Sequence, residues 1–166
     1  MERAYKFRIY PNKQQQILLA KTFGCSRFVY NYYLNKRIEM YKKDKSTMSC
    51  NLCSKDLTQL KKKLEWLKEV DKCALQNSLK NLDNAYNKFF KEHSGFPKFK
   101  SKKTNRYSYR TTYTNGNIRI TGKKIKLPKL GYVKYCDKQI IQGRIVNATI
   151  IKEPSGKYYC SICCTD

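Results

Sequence analysis

Acidic residues are what this sequence is short of. Its 166 residues hold 12 Asp and Glu against 36 Lys and Arg, a formal net charge of +24. No carboxylate lies between Glu92 and Asp137, a stretch with twelve basic residues from Lys98 to Lys134. A nuclease working through divalent metal needs clustered carboxylates, and those here are scattered. No apolar run approaches the roughly 18 to 20 residues of a spanning helix, so no membrane partner is expected. The opening MERAYKFRIY lacks the apolar core of a secretory signal, which gives the expectation of a cytoplasmic protein, nucleoid-associated when bound, with reduced thiols. The single histidine, His93, cannot form a two-histidine metal site and reads as an exposed helix end. There is no nucleophile elbow, phosphate-binding glycine loop or dinucleotide fingerprint. The expectation is a chain that is not itself an enzyme and takes no cofactor or metal.

What is present points to a polyanion. So large a charge excess opposes folding by self-repulsion and calls for a partner of opposite sign, nucleic acid foremost. A drift in composition toward Lys, Asn, Tyr and Ile does not explain it, because such drift raises Glu and Asp as well. The densest stretch is residues 95–110, GFPKFKSKKTNRYSYR. It sets Lys98, Lys100, Lys102, Lys103, Arg106 and Arg110 among Phe96, Phe99, Tyr107 and Tyr109 with no acid. Cations neutralise phosphates and release counterions, while rings stack on unpaired bases or anchor the segment to a core.

Periodicity divides the chain. Residues 3–10 alternate, with Tyr5, Phe7 and Ile9 on one face and Lys6 and Arg8 on the other, the pattern of a half-buried strand. Pro11 ends it, and Asn12 with Gln15 forms a capping box for a helix that Gly24 is expected to stop. A second helix over 26–43 carries Val29, Tyr30, Tyr33, Leu34, Met40 and Tyr41 as a core face. A third spans 54–68 with leucines at 57, 60, 64 and 67, and a fourth starts from Asp71 as cap. Beyond residue 106 the period falls to two. Asn115 and Gly116 predict a hairpin turn, and short strands follow near 118–120, 125–127 and 132–135, with a final hairpin over 144–152 and 157–164. A lone first strand pairs most easily with later ones. The fold class expected is α+β, a small antiparallel, OB-like β-barrel interrupted by a four-helix insertion. Its parts are residues 1–10 as first strand, 11–94 as helical insertion and 95–166 as the rest of the barrel.

Cys50 and Cys53, with Cys160, Cys163 and Cys164, supply enough ligands for tetrahedral zinc. About a hundred residues separate the two groups, and on a strand Cys160 and Cys163 point to opposite faces. Ordinary thiols are the favoured reading.

Several blocks together resemble the N-terminal half of the TnpB (OrfB) transposon-associated proteins, relatives of type V CRISPR effectors. They are YKFRIYPNKQQQ, SRFVYNYYL, WLKEVDKCALQNSLKNLDNAYNKFF, GFPKFKSKK, SYRTTYTN, IKLPKLGYVK and GKYYCSI, in order over nearly the whole chain. The resemblance implies a wedge-like β-barrel with a helical recognition lobe, followed in the family by a RuvC-like nuclease and zinc finger. Nothing here matches the family's G-[IV]-D-x-G catalytic strand, so both later parts are expected to be absent.

By the same resemblance, the partners are a guide RNA from the transposon end and double-stranded DNA carrying a short motif beside the target, with a nuclease half acting in trans. Lys72 and Gln76, in DKCALQNSL, match the segment facing that duplex and are candidate base-edge readers. Thr114 matches a residue facing the same duplex. Relatives often carry tyrosine where Cys50 stands, which leaves the DNA motif open. Lys6, Arg8, Lys98, Lys100, Lys102, Lys103, Arg106 and Arg110 are assigned to the nucleic-acid backbone. Phe96, Pro97 and Phe99 are expected to anchor the basic run to the barrel, and Tyr107 and Tyr109 either anchor or stack. The competing function is a protein-only, helix-turn-helix type DNA-binding module, a repressor or transposase accessory.

Overall fold

The computed structural model describes residues 1–103 and 107–166. They form β1 (Glu2–Tyr10), α1 (Lys13–Asp44), α2 (Cys50–Lys63), a 3-10 turn (Glu65–Glu69), α3 (Lys72–Glu92), and strands β2 (Tyr107–Thr112), β3 (Arg119–Thr121), β4 (Lys124–Leu127), β5 (Gly131–Cys136), β6 (Arg144–Lys152) and β7 (Tyr158–Thr165). Two compact units result. One comprises residues 1–23 and 106–166, the other residues 24–105, with the division falling inside α1.

The first unit is a seven-stranded antiparallel sheet in the order β2-β6-β7-β1-β5-β4-β3. As expected, β1 is completed by later strands, lying between β7 and β5. The expected barrel is a curled but open half-barrel, because β2 and β3 occupy its two edges. The Asn115-Gly116 turn forms, with φ of 50° and 71°, yet it does not make a hairpin of its flanking strands. β2 pairs with β6 over six residues, and β3 pairs only with β4. The longer ladder and the burial of Tyr109 and Thr111 outweigh a local turn preference.

One sheet face carries the core. Phe7, Cys160, Ile150 and Tyr109 form one row across four strands, and all are buried. The first turns of α1 cover this unit. Asn12 and Gln15 make the expected reciprocal cap, each main-chain N–H bonding the other's side-chain oxygen at 2.9 Å. Gln15 Nε2 also donates to the carbonyls of Leu130 and Tyr132, fixing the helix start against the entry to β5. Phe23 lies 5.6 Å from Tyr109 and 6.0 Å from Tyr107, ring to ring.

The second unit holds the remainder of α1 with α2 and α3, three helices where four were expected. Gly24 does not stop α1, which runs 32 residues without interruption. A glycine inside a helix costs about 1 kcal/mol. Burial of Cys25, Val29, Tyr30, Tyr33 and Leu34 just beyond it contributes about 1.5 to 3 kcal/mol for each large side chain. The expected helix over 54–68 breaks at Leu64, where the chain tightens into the 3-10 turn. That change of path sends Leu67 and Val70 inward, at 0% and 2% exposure. Asp71 caps α3 as expected, its Oδ1 accepting from Cys73 N–H at 2.9 Å. His93 closes α3 in the left-handed conformation and is exposed.

Candidate nucleic-acid interface

Cross-strand partners in an antiparallel sheet point to the same face. Lys6 is opposite Ser161, Ser161 opposite Thr149, and Thr149 opposite Arg110. Lys6 and Arg110 therefore share one row on the face away from the core, three strand spacings or about 14 Å apart. Arg8 follows Lys6 on that face, and Tyr10 stands opposite Lys134, itself opposite Lys124. Lys6, Arg110, Lys124 and Lys134 are exposed and Arg8 is partly so. This spacing suits a sugar-phosphate chain crossing the strands, with each cation meeting a different phosphate.

Aromatic neighbours hold two of these cations in place. Lys6 Nζ is 5.1 Å from the Tyr159 ring centre, and the Arg8 guanidinium 4.8 Å from that of Tyr10. Sequence reasoning singled out Lys6, Arg8 and Arg110 but passed over Lys124, Lys126, Lys134 and Arg119. Their signal was legible in the alternation of KKIKL, where Ile125 and Leu127 are buried while Lys124 is exposed and Lys126 half-buried. The missing ingredient was the register that puts Arg119 opposite Lys126 and Lys124 opposite Lys134.

The basic run belongs to the helical unit. Lys98, Lys102 and Lys103 are exposed. Lys100 turns inward, its ammonium 4.2 Å from the Tyr30 ring centre, and burial lowers its pKa below the ordinary lysine value. Asn31 on α1 fixes the backbone of Lys100 by two hydrogen bonds, each 2.8 Å. Phe96 packs edge-on against Tyr86 and Phe89 of α3, rings of its own unit, at 5.4 and 5.2 Å. Pro97 is buried and Phe99 is exposed. Tyr109 is buried and Tyr107 half-buried, their rings 5.6 and 6.0 Å from that of Phe23. Arg106 lies outside the described residues.

Lys72 and Gln76 sit on the first turns of α3. Lys72 is exposed, and Gln76 is half-buried with its Oε1 accepting from Ser54 Oγ at 2.9 Å. That bond leaves the Gln76 amide N–H groups for another acceptor. Thr114, in the sheet unit, is exposed and starts the turn after β2. Its main-chain N–H donates to Asn117 Oδ1 at 2.7 Å, and Asn117 Nδ2 donates to the Thr112 carbonyl.

Cys160 and Cys164 are buried on β7 while Cys163 is half-buried on its other face. Burial pushes the Cys160 thiol up to about 12, which disfavours the thiolate that reactivity and metal binding need. Burial also raises Cys50 and Cys53. Among the described residues no three His, Cys, Asp or Glu side chains gather as a metal set, and no helix is long and apolar enough to cross a membrane.

Residues 1–46 match the helix-turn-helix domain of OrfB proteins. In this structure that segment is a strand followed by one unbroken helix. The chain is 32% identical over 164 residues to InsQ of Escherichia coli strain K12, a candidate RNA-guided DNA endonuclease, covering 96% of this chain and 39% of InsQ. A candidate RNA-guided DNA endonuclease of Streptomyces pristinaespiralis is 31% identical over 171 residues, covering 100% of this chain and 42% of that protein. Virulence protein VsdF of Salmonella dublin is 35% identical over 113 residues, which are 61% of this chain and 95% of VsdF. The chain thus spans about two-fifths of the length of the first two relatives.

Proposed function

The chain belongs to the TnpB/OrfB family of transposon-associated proteins, and on that premise we propose that it is a nucleic-acid-binding module that holds a guide RNA and the DNA duplex beside the target. The observation that carries this reading is the row of Lys6 and Arg110 on one sheet face, extended by Arg8, Lys134 and Lys124. Backbone contacts of this kind position a strand without reading it.

Reading is the task proposed for the start of α3. The Gln76 amide, steadied by Ser54, offers adenine the paired donor and acceptor it needs, while Lys72 suits guanine acceptors or a phosphate. Thr114 contributes a hydroxyl or methyl to the same duplex. Lys98, Lys102, Lys103 and Arg106 hold guide or heteroduplex backbone. Lys100 contributes to that run through its position more than its charge. Cutting, in this reading, is supplied by a nuclease portion outside these residues.

Purification of the chain after co-expression with RNA from the transposon end tests the proposal. Retention of that RNA above unrelated RNA of equal length at physiological salt is the expected result. Equal or no retention contradicts the guided form.

The helix-turn-helix family match over residues 1–46 supports a second reading, sequence-selective duplex binding by protein alone, while the single unbroken helix of that segment speaks against it. Duplex selection without RNA, lost when Lys72 and Gln76 are both replaced by alanine, would support it. Under the guided reading, selectivity set by base pairing survives that double replacement.

A further inference from the structure

Within the helical unit, the later turns of α1 and α3 and the loop joining α1 to α2 enclose a cavity of about 500 Å³. Five rings line it, those of Tyr41, Tyr86, Phe89, Phe90 and Phe96, together with Ile38 and Met48. Phe90 is 62% exposed, Tyr41 51% and Phe96 43%. Tyr41 was expected in the core, yet it stands at the opening. Water-exposed rings gathered around a concavity mark a binding site.

The rings are already set. Phe89 contacts Phe90 edge-on at 5.1 Å, Tyr86 and Phe90 are stacked with 20° between planes, and Phe96 meets Tyr86 edge-on. The lining is not wholly apolar. Arg37 is only 8% exposed, its Nη2 lies 3.1 Å from Asp83 Oδ1, and its guanidinium is 4.8 Å from the Tyr86 ring centre. Its Nε has no hydrogen-bond partner among the described residues. Asp83 and the exposed Asn87 amide add acceptors and donors to the lining. Lys42 lines the cleft, and Lys45 Nζ lies 5.0 Å from the Tyr41 ring centre.

Each feature selects among occupants. A lipid tail or aliphatic side chain would desolvate the Arg37–Asp83 pair without returning a hydrogen bond. An acidic peptide would suit the lysines but leave the ring walls unused. A flat heteroaromatic ring with polar edges, attached to phosphates, satisfies walls, lining and rim together. We propose that this cleft takes one unpaired base of a single-stranded nucleic acid, with the adjoining phosphates at Lys42 and Lys45. The inference rests on the nucleic-acid reading above and adds to it a stacking site apart from the basic run and the start of α3.

The test compares an RNA octamer of uridines with an octamer of abasic ribose-phosphate, binding the full chain at physiological salt. The variant is Tyr41→Leu with Phe90→Leu, which keeps apolar bulk and removes two ring faces at exposed positions. Wild type should prefer the base-bearing strand by about five-fold or more, the low end of what one stacked base contributes. The variant should lose that preference while binding the abasic strand unchanged. Ultraviolet cross-links from uridine should map to peptides containing Tyr41, Phe90 or Phe96. A DNA octamer of thymidines shows whether the site prefers ribose or deoxyribose. If the variant keeps the preference, or wild type binds both strands equally and tightly, the base site is overturned and the nucleic-acid reading stands. If wild type binds neither strand, the nucleic-acid reading falls, and the base site with it.

Discussion

Asn31 holds Lys100 by both main-chain groups, its Nδ2 donating to the Lys100 carbonyl and its Oδ1 accepting from the Lys100 N–H, each at 2.8 Å. The two residues are 69 positions apart, so one amide side chain stitches the basic run to α1. Asn31→Ala removes both bonds, at about 1 kcal/mol each. Urea unfolding should show a loss of about 1 to 3 kcal/mol. Hydrogen exchange should rise at residues 98–103 beyond that global change.

Lys100 itself carries a charge that burial opposes. Its folded pKa lies below the unfolded value of about 10.4, so the unfolded chain binds more protons as pH rises between the two. Stability therefore increases through that window, and the cost of the buried charge is present in full below the folded pKa. The Tyr30 ring offsets part of it. Relative to wild type, Lys100→Met should be most stabilised near pH 7, with the difference shrinking as pH approaches 10. Urea midpoints of the two proteins at both pH values check this. A difference that grows with pH contradicts it.

Ser54 steadies Gln76 through a single hydrogen bond. If Gln76 reads a base, Gln76→Ala should reduce discrimination between the preferred motif and a single-base change by about 1 to 3 kcal/mol. Ser54→Ala should weaken it in the same direction by less, since the amide stays but is no longer steadied. Competition binding with paired duplexes measures both. Uniform weakening on all duplexes would assign Gln76 to the backbone instead.

Gly143 precedes β6 with φ of 92°, and a Cβ there would lie 2.5 Å from the Thr165 carbonyl oxygen. Backbone strain and a contact with main chain coincide. Gly143→Ala should destabilise the sheet unit by more than about 1 kcal/mol. Gly122→Ala has a positive φ but open space, and should cost less. Thermal unfolding of the two variants ranks them.

Where a signal was local, it was readable. The alternation of Tyr5, Phe7 and Ile9, the Asn12–Gln15 cap and the Asp71 cap depend on neighbours within a few residues, and each appears as expected. Gly24 misled because a helix breaker acts through a small local preference, which the buried face beyond it overrides. The order of strands was hidden for a different reason. β2 meets β6 across more than thirty residues, and nothing in YSYRTT says which strand it will join. The basic residues were visible as a composition, but composition does not say which cations share a face. Register put Lys124 and Lys134 on the sheet face that carries Lys6 and Arg110, while the Lys100 ammonium lies against Tyr30.

The shared sheet face of Lys6, Arg110 and Lys134 is central to nucleic-acid binding as proposed. The most direct measurement is the salt dependence of duplex binding for wild type and for a variant with Lys6→Gln, Arg110→Gln and Lys134→Gln. The slope of log affinity against log salt should become shallower by about 0.9 for each phosphate contact removed, with the variant still folded by circular dichroism. An unaltered slope and affinity would contradict the assignment of this sheet face to nucleic acid.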